Sequence, residues 1–156
     1  MTGLKIFLKI INLIIKMDVN ALIPVLFNAA RNGHIEIVKL CKEWGVTDFN
    51  WAMVCAAETG HIDIVKLYRQ WGATDNDRAM RFAAKGGQID ILKQYKKWGA
   101  TDFNWAMAYA ASNGHVEIVK QCKEWGATDY DQAMYNATRN GHVDIVRLCK
   151  QWGAIE

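Results

Sequence analysis

The histidines and cysteines of this 156-residue chain are its residues best suited to chemistry, and their spacing argues against it. His34, His61, His115 and His142 fall in one column of a 27-residue period, with Gln88 at the remaining place. A catalytic histidine is normally unique in its site, whereas one recurring at every helix start reads as capping or packing. Cys41, Cys55, Cys122 and Cys149 form no C-x-x-C pair. His115 and Cys122 are seven residues apart on one expected helix, so their backbones lie ~10 Å apart along its axis. Ligands held ~2–2.3 Å from one zinc cannot both come from there. Cys122 and Cys149 hold equivalent places in neighbouring units. Stacked helices sit ~8–10 Å apart, beyond the ~7 Å reach of a disulfide. No Gly-rich phosphate loop, nucleophile elbow or unique carboxylate pair is found. The expectation is no catalytic, metal or cofactor site, and no enzyme.

Basic residues form two further columns. One is Lys39, Lys66, Lys93, Lys120 and Arg147; the other is Lys42, Arg69, Lys96, Lys123 and Lys150. Such a ladder could meet phosphates or an acidic protein. The plainer reading is a solvated outer face, weakly supported by acids such as Glu36 and Asp63 three residues before a lysine. Aromatics are not interleaved with the ladder in sequence, which argues against nucleic acid. The net charge of +3 does not by itself imply it either.

These columns exist because the chain repeats. Trp-Gly recurs at Trp44, Trp71, Trp98, Trp125 and Trp152, and Ile37, Ile64, Ile91, Ile118 and Ile145 keep the same register. With 51% hydrophobic residues the composition is a folding one, and a single proline leaves room for helices. Each unit reads as two helices. In residues 101–127, Thr101 is expected to cap the first helix with Asp102 beside its positive end. Gly114 stops that helix, since glycine accepts the left-handed conformation. The second helix starts at His115, carries Glu117 in its first turn and Lys123 near its negative end, and stops at Gly126. No segment reads as a strand. A lone hairpin of this size cannot bury its apolar face, so stacked units must share a core. The Trp column is expected to be a buried stacking device, each ring removing ~150–250 Å² from water.

The run Ala110-Ala111-Ser112-Asn113-Gly114-His115-Val116-Glu117-Ile118-Val119-Lys120, with the later Trp125-Gly126-Ala127, resembles the ankyrin repeat. The resemblance recurs over residues 20–156. It implies an all-α solenoid of stacked two-helix ankyrin-like repeats, with units 20–46, 47–73, 74–100, 101–127 and 128–154. The family unit has 33 residues. The six missing here fall where that family places its β-turn finger, so fingers are expected to be absent. The family's Thr-Pro-Leu-His start is also replaced, by Trp105-Ala106-Met107-Ala108 and its equivalents. Shortened, Trp-Gly-rich arrays of this kind resemble those encoded by large DNA viruses. What the resemblance implies is a non-enzymatic protein-interaction scaffold that binds a partner through its first-helix surface. The setting implied is cytoplasmic, the host cytoplasm if viral, in keeping with reduced cysteines.

Columns that vary mark where a partner would be read. Phe49, Trp51, Arg78, Arg81, Phe103, Trp105, Tyr130 and Tyr135 lie on or near the first helices. A surface mixing aromatics with arginine has the composition of a protein-binding hot spot. The competing reading is that these aromatics cover the shortened turn and pack on the neighbouring repeat. Residues 1–19 form a separate segment. Lys5, Lys9, Asn12 and Lys16 would make one polar stripe on an otherwise apolar helix over residues 4–16. That run is too short for a ~20-residue membrane span. It fits a capping helix, a membrane-surface helix or an extension upstream of Met17. A signal peptide lacks a clear small-residue cleavage site. At the other end the chain stops almost at the last Trp-Gly. Asn136, Thr138, Arg139 and Asn140 make the last first helix polar enough for a modest cap, and that face is otherwise a candidate for self-association.

Overall fold

The computed structural model describes residues 18–155. Among them the chain forms a 3-10 turn, Val19–Leu22, and ten α-helices, with no strand. The first helices are α1 (Ile23–Arg31), α3 (Phe49–Thr59), α5 (Asn76–Lys85), α7 (Phe103–Ser112) and α9 (Tyr130–Arg139). The second helices are α2 (Ile35–Glu43), α4 (Ile62–Gln70), α6 (Ile89–Lys97), α8 (Val116–Glu124) and α10 (Val143–Gln151). Each first helix packs on its own second helix and on the first helices of its neighbours, whereas second helices barely meet one another. This is an all-α solenoid of two-helix repeats without fingers. The apolar run at residues 4–16 lies outside the described residues.

Small residues explain the close packing of the first helices. Ala52, Ala79, Ala106 and Ala133 are fully buried, each followed by a buried methionine. In the first four repeats a buried alanine pair lies further along the first helix, as at Ala110 and Ala111. The helices α4, α6 and α8 contribute Ile64, Val65 and Tyr68 or their equivalents. Pro24 stands at the start of α1, where a missing amide hydrogen costs nothing.

The helix starts differ from the sequence expectation by one residue. Asp102, not Thr101, is the N-cap of α7, and its carboxylate accepts from the Trp105 amide at 3.4 Å. Asp75 and Asp129 cap α5 and α9 in the same way. The Thr101 carbonyl instead accepts from the Phe103 amide at 2.8 Å, closing a tight turn about Asp102 (φ −81°, ψ 60°). That turn lets the short segment between Lys97 and Phe103 join the repeats.

A side chain from the preceding repeat braces the short turn between repeats. Asn50 Oδ1 accepts from the Thr74 and Asp75 amides at 2.8 and 3.2 Å. Asp77 does the same for Thr101 and Asp102 at 2.8 and 3.0 Å, and Asn104 for Thr128 and Asp129 at 2.8 and 3.0 Å. Asp131 holds the Ile155 amide at 2.7 Å. The turns that follow the second, third and fourth repeats are thus tied down from behind.

The histidine column also works between repeats. His115 and His142 make no side-chain bond to their own helix starts. Their Nε2 atoms reach back to the carbonyls of Lys85 and Ser112 at 2.9 and 3.2 Å, and His61 reaches Arg31 at 3.1 Å. A carbonyl only accepts, so Nε2 carries the proton. The His142 ring lies on Gly114, whose φ of +79° and lack of a side chain make room for it.

The tryptophan column is less buried than the sequence suggested. Trp44 is 38% exposed, and Trp71, Trp98, Trp125 and Trp152 are half-buried. One side of Trp71, Trp125 and Trp152 meets an aromatic ring of the same repeat, Phe49, Phe103 or Tyr130, at centroid distances of 5.4–5.5 Å. The basic column covers rings in the next repeat: Lys42 over Trp71, Arg69 over Trp98, Lys96 over Trp125 and Lys123 over Trp152, at 4.3–4.7 Å. The second helices are therefore linked by cation–aromatic contacts rather than by packed cores.

Candidate interaction surface

The eight expected partner residues divide into groups. Phe49, Phe103 and Tyr130 are half-buried against Trp71, Trp125 and Trp152. They belong to the stacking of each repeat. The structure does not bring them together with Trp51 and Trp105. The first helices pack side by side, so residues facing outward from them form a continuous strip. Trp51 meets Phe82 edge-on at 5.6 Å, Phe82 meets Tyr109 at 5.7 Å, and Tyr109 meets Trp105 at 6.4 Å. This chain of rings crosses three repeats.

Cations border the strip. The Arg78 guanidinium lies 4.4 Å above Trp51, and Arg81 lies 5.9 Å from Trp105 while forming an ion pair with Asp102. Lys85 lies 5.4 Å from Phe82 and pairs at 2.7 Å with Glu58, which also holds Arg31 at 3.5 Å. Arg78 has no carboxylate partner among the described residues. Its charge is offset only by the indole face, worth ~0.5–1 kcal/mol at an exposed site. Trp105 is 51% exposed.

Tyr135 stands apart at the last repeat. It is 56% exposed, with Arg139 5.7 Å from its ring, and it lines an end groove of about 600 Å³ with Met134, Thr138, Val146 and Ile155. Thr138 is exposed where Ala30, Ala57, Ala84 and Ala111 are buried in the other units, and its hydroxyl donates to the Met134 carbonyl at 2.8 Å. At the other end Ile37 is 40% exposed, whereas Ile64, its equivalent, is 2% exposed beneath a preceding repeat.

Phe82, Tyr109 and Lys85 were not among the residues expected from the sequence. Phe82 and Tyr109 sit four residues after Arg78 and Trp105, on the same helical face. Carrying each varying column one turn forward would have found them.

Among the described residues no group of three or more His, Cys, Asp or Glu could hold a metal. All four cysteines are free and buried. Burial pushes their thiols up, Cys122 to about 12 and Cys149 to about 11. No helix of the described residues is long and apolar enough to cross a membrane. The fold defines the class of the protein as an α-solenoid of two-helix repeats. The chain matches no protein-family model and no curated protein.

Proposed function

We propose that this chain is a non-enzymatic protein-interaction scaffold of shortened ankyrin-like repeats that grips a partner along its first-helix strip. The observation that carries this reading is the continuous run Trp51–Phe82–Tyr109–Trp105 with Arg78 and Arg81 at its edge. Exposed tryptophan and arginine are the residue types that dominate binding energy at protein interfaces. A ring held by neighbouring rings loses little freedom when a partner covers it. Buried thiols of raised pKa suit a reducing, cytoplasmic setting, the host cytoplasm if the gene is viral.

The test is affinity capture from the native cell type, comparing the intact chain with a Trp105→Ala/Arg78→Ala variant of unchanged thermal melting. Both side chains are exposed, so the variant is expected to fold. Loss of a specific protein by the folded variant supports the reading. Equal capture by both chains removes the strip from consideration. The alternatives are membrane-surface attachment through residues 4–16 and self-assembly through an end repeat. Liposome co-sedimentation with and without residues 1–16 checks the first, and concentration-dependent mass the second.

A further inference from the structure

The second-helix side of the array opens where the first-helix side closes. Second helices barely meet, and a groove lies at each of three successive junctions. The groove between α4 and α6, about 490 Å³, is lined by Lys66, Arg69, Gln70, Gln94 and Trp98. The next, between α6 and α8, about 460 Å³, is lined by Lys93, Lys96, Lys97, Gln121 and Trp125. The third, between α8 and α10, about 390 Å³, is lined by Lys120, Lys123, Glu124, Leu148 and Trp152. One design thus recurs at these three junctions: a tryptophan with cations around it.

Arg69 donates to Asn76 Oδ1 at 2.8 Å, and the lysines of the grooves are available. Lys66, Lys93, Lys96, Lys97, Lys120 and Lys123 have no carboxylate partner among the described residues, whereas Lys39 and Arg147 pair with Glu36 and Asp144. Asp63, Asp90 and Glu117 stand in the first turns of these helices, three residues before Lys66, Lys93 and Lys120, whereas Arg69, Lys96, Lys97 and Lys123 lie in the last turns. Glu124 is an acid lining the third groove, where Gln121 donates to it at 2.7 Å.

The aromatics are interleaved with this ladder after all. Sequence spacing hides the fact, because each cation covers a ring roughly one repeat further on. Arg69, Lys96 and Lys123 lie 4.5–4.7 Å from the Trp98, Trp125 and Trp152 rings. Phe103 and Tyr130 pack against Trp125 and Trp152. Trp125 and Trp152 are therefore held in place by a ring and covered by a flexible ammonium that can leave, whereas Trp98 is covered by the Arg69 guanidinium.

We propose that this face binds single-stranded nucleic acid, with phosphates on the groove lysines and bases stacked on the tryptophans. Stacking of a base on an aromatic ring is stronger than an exposed cation–ring contact, so a base can displace the ammonium. The displaced ammonium then meets a phosphate and releases a counterion. A sulfated polysaccharide would use only the cations, and a duplex keeps its bases out of reach. The site lies on the second helices and is independent of the first-helix strip.

The test titrates the full chain against a labelled oligothymidylate of ~15 nucleotides, at about 50 and about 200 mM salt. Binding is expected at low salt. It should weaken on the order of tenfold at high salt, as for about three phosphates on a single strand. Unlabelled strand is expected to quench tryptophan fluorescence. Trp125→Leu, checked for wild-type melting, is expected to weaken oligothymidylate binding about tenfold and to leave a heparin fragment's affinity unchanged. Lys93→Ala/Lys120→Ala removes two exposed side chains and is expected to weaken binding and flatten the salt dependence. Trp51→Ala/Trp105→Ala is expected to bind the strand like the wild type, which separates this site from the partner strip. The proposal is overturned by no binding at low salt, by binding without quenching, or by wild-type affinity in Lys93→Ala/Lys120→Ala. It is equally overturned if a folded Trp125→Leu binds both polymers unchanged, since that describes a polyanion surface without stacking.

Discussion

Asn104 Oδ1 accepts from the amide of Thr128, which lies in the next repeat, at 2.8 Å. The same oxygen takes the Asp129 amide at 3.0 Å, so one side chain fixes the start of α9 from behind. Asn104→Ala removes both bonds, but the amides are exposed and water can replace the oxygen. The expected loss is about 1–2 kcal/mol in urea unfolding. Asn104→Asp is expected to be nearly neutral, because Asp77 and Asp131 fill this place in other repeats. An Asp variant as damaging as the Ala variant would refute this role.

Gly114 and Gly126 offer a controlled comparison. Both have positive φ, +79° and +99°. A Cβ on Gly114 would stand 2.8 Å from the His142 ring, whereas one on Gly126 meets nothing within 4 Å. Gly126→Ala is expected to cost about 1–2 kcal/mol for its backbone alone. Gly114→Ala is expected to cost more, and His142→Ala in the same chain should recover part of the difference. Strictly additive losses in the double variant would show that ring and glycine are not coupled.

The repeat, the two-helix unit and the absence of strands were legible because identical columns report a shared scaffold. Glycine, tryptophan and isoleucine recur wherever backbone and core demand them. The site was legible only in part. Trp51, Arg78 and Trp105 vary at an outward-facing position, and variation drew attention to them. Phe49 and Phe103 vary less in character because they serve the fold, and composition alone could not tell these uses apart. What connects one repeat with the next was hidden. His142 reaching Ser112, Lys96 covering Trp125 and Asn104 holding Thr128 span 24 to 30 residues, and only the stacking angle of the repeats decides which pairs meet.

Alkaline pH is expected to unfold the protein early. Burial raises the Cys122 thiol from 9.0 to about 12, and burial also raises the Tyr68 and Tyr95 hydroxyls above their usual 10.0. A raised folded-state pKa in an acid means that the folded chain holds its proton while the unfolded chain releases it. The stability so gained is fully present below the unfolded value of about 9 and is lost as pH climbs towards about 12. Urea midpoints should therefore hold steady from pH ~7 to ~8.5 and fall beyond it. Cys122→Ala should lessen the slope of that fall, although it lowers the midpoint itself. A midpoint that stays level to pH ~11 would contradict the assignment.

Phe103 and Trp105 lie two residues apart on α7 and should respond to truncation to different degrees. Phe103 is half-buried, with its ring 5.5 Å from Trp125, whereas Trp105 is 51% exposed. Removing Phe103 leaves a gap beneath the indole and uncovers the neighbouring core. Phe103→Ala is expected to cost about 2–4 kcal/mol, towards the lower end of values for buried aromatics. Trp105→Ala gives up contacts with Tyr109 and Arg81 at the surface, and is expected to cost no more than about 1 kcal/mol. Urea unfolding of the two variants beside the wild type makes the comparison. If Trp105→Ala destabilises as much as Phe103→Ala, its ring is part of the scaffold, and its exposure cannot be read as a surface kept for a partner.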